Sequence, residues 1–351
     1  LFKLVLPIVG RFDKAPTKSP HEVFMRAIQL TQFGEPATVL SLVDVPVPEP
    51  GPGEVRLRLT HRPINPSDLE TVRGRYGRLP QLPATVGMEA MGRVDALGEG
   101  VSSFSVGQRV IPLGVQGGAW AEYALASANR LIPVPDAVSD QTAAQFLANP
   151  VTAWVMLVDE LALQEGDWLL QTAAGSTLGR LVIQLARLKG YKTVNLVRRQ
   201  EQVQELLDLG ADAVFTSEDE DVVTQVRAVT GGKGVKGAIE AVGGATGALA
   251  LSCLRAGGTM IVYGMLSHEP IPLHSGEMLF KGVTVKGYWL THWLRAENPL
   301  KVMQTLSGLM TLMAEGHLVP PVEAEYDLAQ FQEAITHTES RGRSGKVILI
   351  G

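Results

Sequence analysis

The residues WLLQTAAGSTLGRLVIQLARLKGYKTVNLVRR, from Trp168 to Arg199, decide the fold. A short apolar run enters a turn of small residues, Ala173-Ala174-Gly175-Ser176-Thr177-Leu178-Gly179. Leu181, Val182, Leu185, Ala186 and Leu188 then recur at helical spacing, and residues 193–197 form a second apolar run of strand length. Strand, tight turn, helix and strand make one βαβ unit. Such a turn lets backbone N–H groups at the helix N-terminus approach a pyrophosphate, where the positive end of the helix dipole favours anionic oxygens. Gly175, Ser176, Thr177 and Leu178 are therefore the candidate pyrophosphate contacts. Thr177 stands where a third glycine would be expected, so the turn is a loose dinucleotide fingerprint that draws its weight from the strand-helix-strand around it.

The second strand ends in Arg198-Arg199. An acidic side chain at this point would accept hydrogen bonds from a ribose 2′-hydroxyl, whereas two guanidinium groups match a 2′-phosphate and favour NADPH over NADH. Solvated charges at a strand end are the alternative. With the turn upstream, the phosphate reading is preferred.

Downstream, apolar runs at 213–216, 237–242, 259–263 and 283–287 alternate with helical periods, so that about six strands predict a doubly wound parallel sheet with right-handed crossovers. Upstream, short strands punctuated by Gly and Pro at 26–30, 40–45, 54–61, 91–97 and 109–112 predict a compact β-rich barrel. The pattern changes near Asn149-Pro150-Val151-Thr152-Ala153. Helices are expected around 299–316 and 328–338, then an apolar strand at 346–350, and the simplest arrangement returns this tail to the barrel. The nucleotide domain, 149–288, becomes an insertion between 25–148 and 289–351. Residues 1–24 read as an extension before Met25 or a processed remnant, with a transit-peptide remnant less favoured.

A chain of 351 residues has room for two domains with cores of ordinary size. No apolar segment approaches the roughly 20 residues that a bilayer crossing needs. The net charge of −5 argues against a general nucleic-acid binder while leaving room for a local basic patch. Cys253 is the single cysteine, which excludes an intrachain disulfide and a cysteine-based zinc site and suits a reducing cytosol. A small buried side chain is expected there, not a nucleophile.

After Met25 nearly the whole chain resembles the medium-chain dehydrogenase/reductase superfamily, through Ile64-Asn65-Pro66-Ser67-Asp68, residues 83–92, Gly118-Ala119-Trp120-Ala121-Glu122-Tyr123, the turn described above and Gly345-Lys346-Val347. The resemblance implies an α/β architecture in which a Rossmann sheet is inserted into a GroES-like β-rich catalytic domain. Zinc-containing relatives carry a cysteine near Asn65-Pro66-Ser67-Asp68 and a histidine before the glutamate numbered Glu89. Here Asn65 and Pro66 offer no thiolate and Met88 precedes Glu89, so the resemblance implies a zinc-independent member. His61, His268, His274 and His292 show no persuasive metal spacing, and no metal is expected. Within the superfamily the chain is nearest to NADPH-dependent trans-2-enoyl thioester reductases and quinone oxidoreductases. That likeness rests on Arg73-Gly74-Arg75-Tyr76, Asn149-Pro150-Val151-Thr152-Ala153 and Lys286-Gly287-Tyr288-Trp289-Leu290-Thr291-His292-Trp293.

The same resemblance places Tyr76 as the catalytic tyrosine, orienting or protonating the substrate. It puts Asn149 near the nicotinamide or its ribose, and Tyr263, Gly264, Met265 and Leu266 at a strand's carboxyl end. Tyr288, Trp289, Leu290 and Lys346 complete the cofactor cleft, and Asn65 is expected beside the substrate. Trp289 and Trp293, four residues apart, could join Trp120 in an aromatic wall for an acyl chain, ordinary core packing being the other reading. Arg73, Arg75 and Arg78 flank Tyr76 and could attract phosphates of coenzyme A or of an acyl-carrier protein. The implied activity is NADPH-dependent reduction of the carbon–carbon double bond of a trans-2-enoyl thioester. Reduction of quinones or alkenals is the first alternative, and an NADPH-binding redox sensor without catalysis is the second. A homodimer joined through the nucleotide domains completes the expectation, placed in the cytoplasm, or in an organellar matrix if 1–24 derive from a transit peptide.

Overall fold

The computed structural model describes residues 23–351, so the expected extension lies outside the described residues except for its last two. Strands Trp168–Gln171, Lys192–Val197, Ala213–Thr216, Val235–Glu240, Leu254–Val262 and Thr284–Gly287 form one six-stranded parallel sheet. Taken in chain order, they lie 3-2-1-4-5-6 across the sheet. The order reverses between Trp168–Gln171 and Val235–Glu240, and a crevice opens beyond the carboxyl ends of strands at such a reversal.

The first crossover explains why this sequence binds its helix so tightly to the sheet. Helix Thr177–Lys189 starts at Ser176, whose hydroxyl accepts from the Gly179 N–H at 3.1 Å, and ends at Gly190 with φ of 69°. That cap and left-handed stop set its length. Gly179 supplies the close approach: a methyl there would lie 2.4 Å from the Ala174 carbonyl oxygen. The glycine missing at Thr177 is thus compensated two residues on.

The β-rich half is organised around Glu54–Pro63, which pairs antiparallel with Met91–Leu97, Tyr123–Ser127 and the terminal strand Lys346–Ile350. The last pairing, with Ile348 opposite Pro63, joins the chain's final strand to this sheet. Leu306, Leu309, Met310 and Met313 of helix Pro299–Ala314 share one apolar cluster with Leu181, Val182 and Leu185 of the first crossover helix. The tail reaches the barrel sheet only at Val322–Asp327, which pairs parallel with Lys346–Ile350. The apolar cluster around Leu306 also takes in Met91 and Ile111 of the β-rich half, so helix Pro299–Ala314 packs at the junction of the two halves.

Trp120 is fully buried and Trp293 is 6% exposed, each within an apolar cluster. Neither borders the cleft, so the expected aromatic wall is reduced to Trp289. Gly87, with φ of 94°, lies against the Trp120 indole, and a methyl there would sit 2.2 Å from Cδ1. Gly87→Ala combines left-handed strain of about 1–2 kcal/mol with overpacking of about 1–3 kcal/mol. A loss of about 3 kcal/mol in equilibrium unfolding is expected; a loss below 1 kcal/mol would show that the indole moves aside freely. Cys253 is buried just after helix Gly244–Ser252, and burial pushes its thiol up to about 12, in keeping with an inert packing role.

Candidate active site

Between the barrel and the carboxyl ends of the parallel strands lies a cleft of about 1920 Å³. Tyr76, Asn149, Ser176, Thr177, Leu178, Tyr263, Gly264, Met265, Leu266, Tyr288, Trp289, Leu290, Asn65 and Lys346 all border it. Residues far apart in the chain thus meet in one space. Gly175 lies buried at the base of the turn, where the Gln202 amide packs so closely that a methyl would sit 2.2 Å from Nε2. Arg198 and Arg199 lie outside the cleft wall, at the outer end of their strand.

Tyr76 follows helix Pro66–Val72 in a loop and is half-buried. Its phenolic oxygen accepts a hydrogen bond from the Trp289 indole N–H at 2.8 Å, and the two rings meet edge to face with centroids 5.9 Å apart. Because the indole nitrogen can only donate, that bond does not use the phenol's own hydrogen; the Ser67 hydroxyl is the other polar side chain that reaches the phenol. Burial raises the phenol above its ordinary value, with the Trp289 bond acting the other way, so the group is protonated across the neutral range.

The loop is held by Arg73, whose guanidinium contacts Glu35 at 3.2 Å, Glu70 at 3.3 Å and also Glu339. Three carboxylates from three elements neutralise one arginine. That corrects the expectation for Arg73 as a free phosphate ligand. Arg75 and Arg78 remain exposed on the cleft rim.

Behind Tyr76 lies a buried polar lattice. The Asn65 amide donates from Nδ2 to Glu89 Oε2 at 3.0 Å, and its Oδ1 accepts from Lys346 Nζ at 2.8 Å. Asp68 accepts from the backbone N–H groups of Asn65 at 2.8 Å and Met88 at 2.9 Å. Glu89 Oε1 accepts from the backbone N–H groups of Leu147 at 2.8 Å and Ala148 at 2.9 Å. Burial pushes Asp68 up to about 7 and Lys346 down to about 8, against the attraction between the lysine and the two acids. Asn65 was expected to touch substrate; its amide is instead committed to Glu89 and Lys346. Sequence reasoning passed over Glu89 and Asp68 as functional groups. A lone acid inside the apolar run 86–91 was the available signal, since a buried charge demands partners.

Two features fit a dinucleotide. The turn and helix N-terminus at Ser176 present backbone donors at the crevice, and Asn149, which borders the cleft, has its Nδ2 buried without a hydrogen-bond partner among the described residues. Among the described residues no cluster of three or more His, Cys, Asp or Glu could hold a metal ion.

Comparison with known proteins agrees with this geometry. The zinc-binding dehydrogenase family matches residues 177–307, and the alcohol dehydrogenase GroES-like domain matches residues 51–136. The mitochondrial enoyl-acyl-carrier-protein reductase of Rattus norvegicus is 34% identical over 330 residues, covering 93% of this chain and 88% of its own. Among solved structures, a Bacillus thuringiensis protein described as an NADPH:quinone reductase superposes with a TM-score of 0.88 at 33% identity, covering 94% of this chain and 99% of that one. The complex of Etr1p with NADP and crotonyl-CoA superposes with a TM-score of 0.85 at 26% identity, covering 94% of this chain and all of that one.

Proposed function

Because the chain belongs to the medium-chain dehydrogenase/reductase superfamily, among the enoyl-acyl-carrier-protein reductases and quinone oxidoreductases, we propose that it uses NADPH to reduce the carbon–carbon double bond of a trans-2-enoyl thioester. The observation that carries this reading is the Tyr76 hydroxyl, steadied by the Trp289 indole N–H, facing the same cleft as Asn149 and the nucleotide turn.

NADPH, when bound, supplies the hydride. Ser176, Thr177 and Leu178 would hold its pyrophosphate, Asn149 its nicotinamide end, and Arg198 with Arg199 its 2′-phosphate. Reduction at Cβ places negative charge on the thioester oxygen. A donor aimed at that oxygen stabilises the charge where it develops, and Tyr76 O–H can either do so or deliver the proton to Cα. Trp289, Leu290 and Leu294 give the cleft an apolar side for an acyl chain. The exposed Arg75 and Arg78 suit the phosphates of coenzyme A or a carrier protein.

The relatives' mitochondrial location favours an organellar matrix over the cytosol. No helix among the described residues is long and apolar enough to cross a membrane. Strand Thr284–Gly287 ends the parallel sheet beside exposed Leu279 and Phe280, which suits burial against a second copy of the chain.

The likeness to the Bacillus thuringiensis structure keeps quinone reduction as the second reading. NADPH oxidation followed with crotonyl-CoA, longer enoyl-CoA thioesters and quinones separates the two. Turnover of an enoyl thioester at least about tenfold above any quinone in kcat/KM is expected, equivalent to about 1.4 kcal/mol of extra transition-state binding. The reverse order would move the chain to the quinone branch, and no turnover of any acceptor would favour a binding protein.

A further inference from the structure

Glu89 is 3% exposed, lines the floor of the cleft and touches two separate elements at once. Its Oε1 takes the N–H groups of Leu147 and Ala148, where helix Ala148–Trp154 begins and from which Asn149 projects. Its Oε2 takes the amide of Asn65, at the start of the helix that leads to Tyr76. We propose that Glu89 is a positioning residue that aims Asn149 at the nicotinamide end of the cofactor and fixes that aim to the element carrying Tyr76. The proposal rests on the NADPH reading and adds to it the group that sets the cleft's inner end.

The lattice has a polarity that a single substitution breaks. Two backbone N–H groups require an oxygen at one end of residue 89, and Lys346 Nζ requires an oxygen on residue 65. Asn65 must then offer its NH₂ to residue 89, which only an acceptor there can take. In E89Q the glutamine keeps its oxygen on Leu147 and Ala148 and turns its own NH₂ toward Asn65. Two donors face each other; flipping Asn65 only moves the conflict to Lys346. N65D alone opposes two carboxylates. The double substitution N65D/E89Q restores every bond: the introduced glutamine donates to the introduced aspartate, that aspartate accepts from Lys346, and the buried charge is conserved. Asp also serves as well as Asn at a helix N-cap.

Calorimetric titration of all four proteins with NADPH and with 2′,5′-ADP, which carries the adenosine half and cannot reach Asn149, tests this. Each single variant is expected to weaken NADPH binding by at least about fivefold, and the double variant to recover to within about twofold of the parent. Affinity for 2′,5′-ADP should stay constant throughout. Single variants that bind NADPH as the parent does, a double variant that fails to recover, or a parallel fall in 2′,5′-ADP affinity would each overturn the assignment of Glu89. A parent that binds neither ligand would overturn the NADPH reading itself and this proposal with it.

Discussion

Tyr76→Phe is expected to lower kcat/KM for crotonyl-CoA by about 10²–10³-fold, the range seen when one donor to a developing oxyanion is removed. NADPH affinity should be unchanged, because the phenol oxygen is engaged by the Trp289 indole and the Ser67 hydroxyl and by no group of the nucleotide turn. Loss of the half-buried indole bond costs the fold only about 1 kcal/mol. Quinone reduction, should it occur, does not need a donor at this position and would persist. The parent's pH profile follows from the same group. A phenol raised above its ordinary value by burial keeps its proton as the pH climbs, so Tyr76 itself imposes no alkaline loss of kcat through about pH 9. Retention of enoyl-CoA turnover to within about threefold in the phenylalanine variant would remove Tyr76 from the chemistry, whatever else lines the cleft.

The parallel sheet was legible because its strands are buried on both faces and read as plain apolar runs. Residues 169–170 and 260–262 show it: Leu169, Leu170, Met260 and Ile261 are fully buried and Val262 after them is half-buried. Strands Met91–Leu97, Arg109–Pro112, Ala213–Thr216 and Lys346–Ile350 agree with the expected bounds to the residue. Tyr123–Ser127 and Val322–Asp327 escaped notice because both are half-exposed, and the second carries three acidic residues in six. Trp120 shows a different limit. Nothing local says that it packs beneath Gly87 and not on the cleft, since that contact depends on a backbone approach only the fold creates. Arg73 and Glu89 escaped for the same reason. Their partners lie up to 266 residues away for Arg73 and 59 for Glu89, and spacing along one helix or strand carries no trace of them. Periodicity reports which face is buried; it does not report which buried charges meet.

Replacing both Arg198 and Arg199 with alanine should weaken NADPH binding about 100-fold while leaving NADH nearly untouched. Charge-assisted hydrogen bonds contribute about 1.5–3 kcal/mol each, and exposure of Arg198 discounts its share through solvent and salt screening. Arg199 should account for more of the loss. It is half-buried, and its guanidinium lies beside the tail turn, where a methyl on Gly342 would lie 2.9 Å from Nη1. A guanidinium partly enclosed by the fold forfeits less side-chain entropy on binding a phosphate than one free in solvent. The same turn supplies Arg343, half-buried and turned inward to the Ser340 and Gly345 carbonyls, so the cationic character of this corner is shared across the gap between the two halves. Raising ionic strength should therefore weaken NADPH more steeply for the parent than for the double variant. Titration of both reduced cofactors at two salt concentrations reads the effect. An unaltered ratio of NADPH to NADH affinity would mean that the 2′-phosphate is bound elsewhere, and that the two arginines merely end a strand.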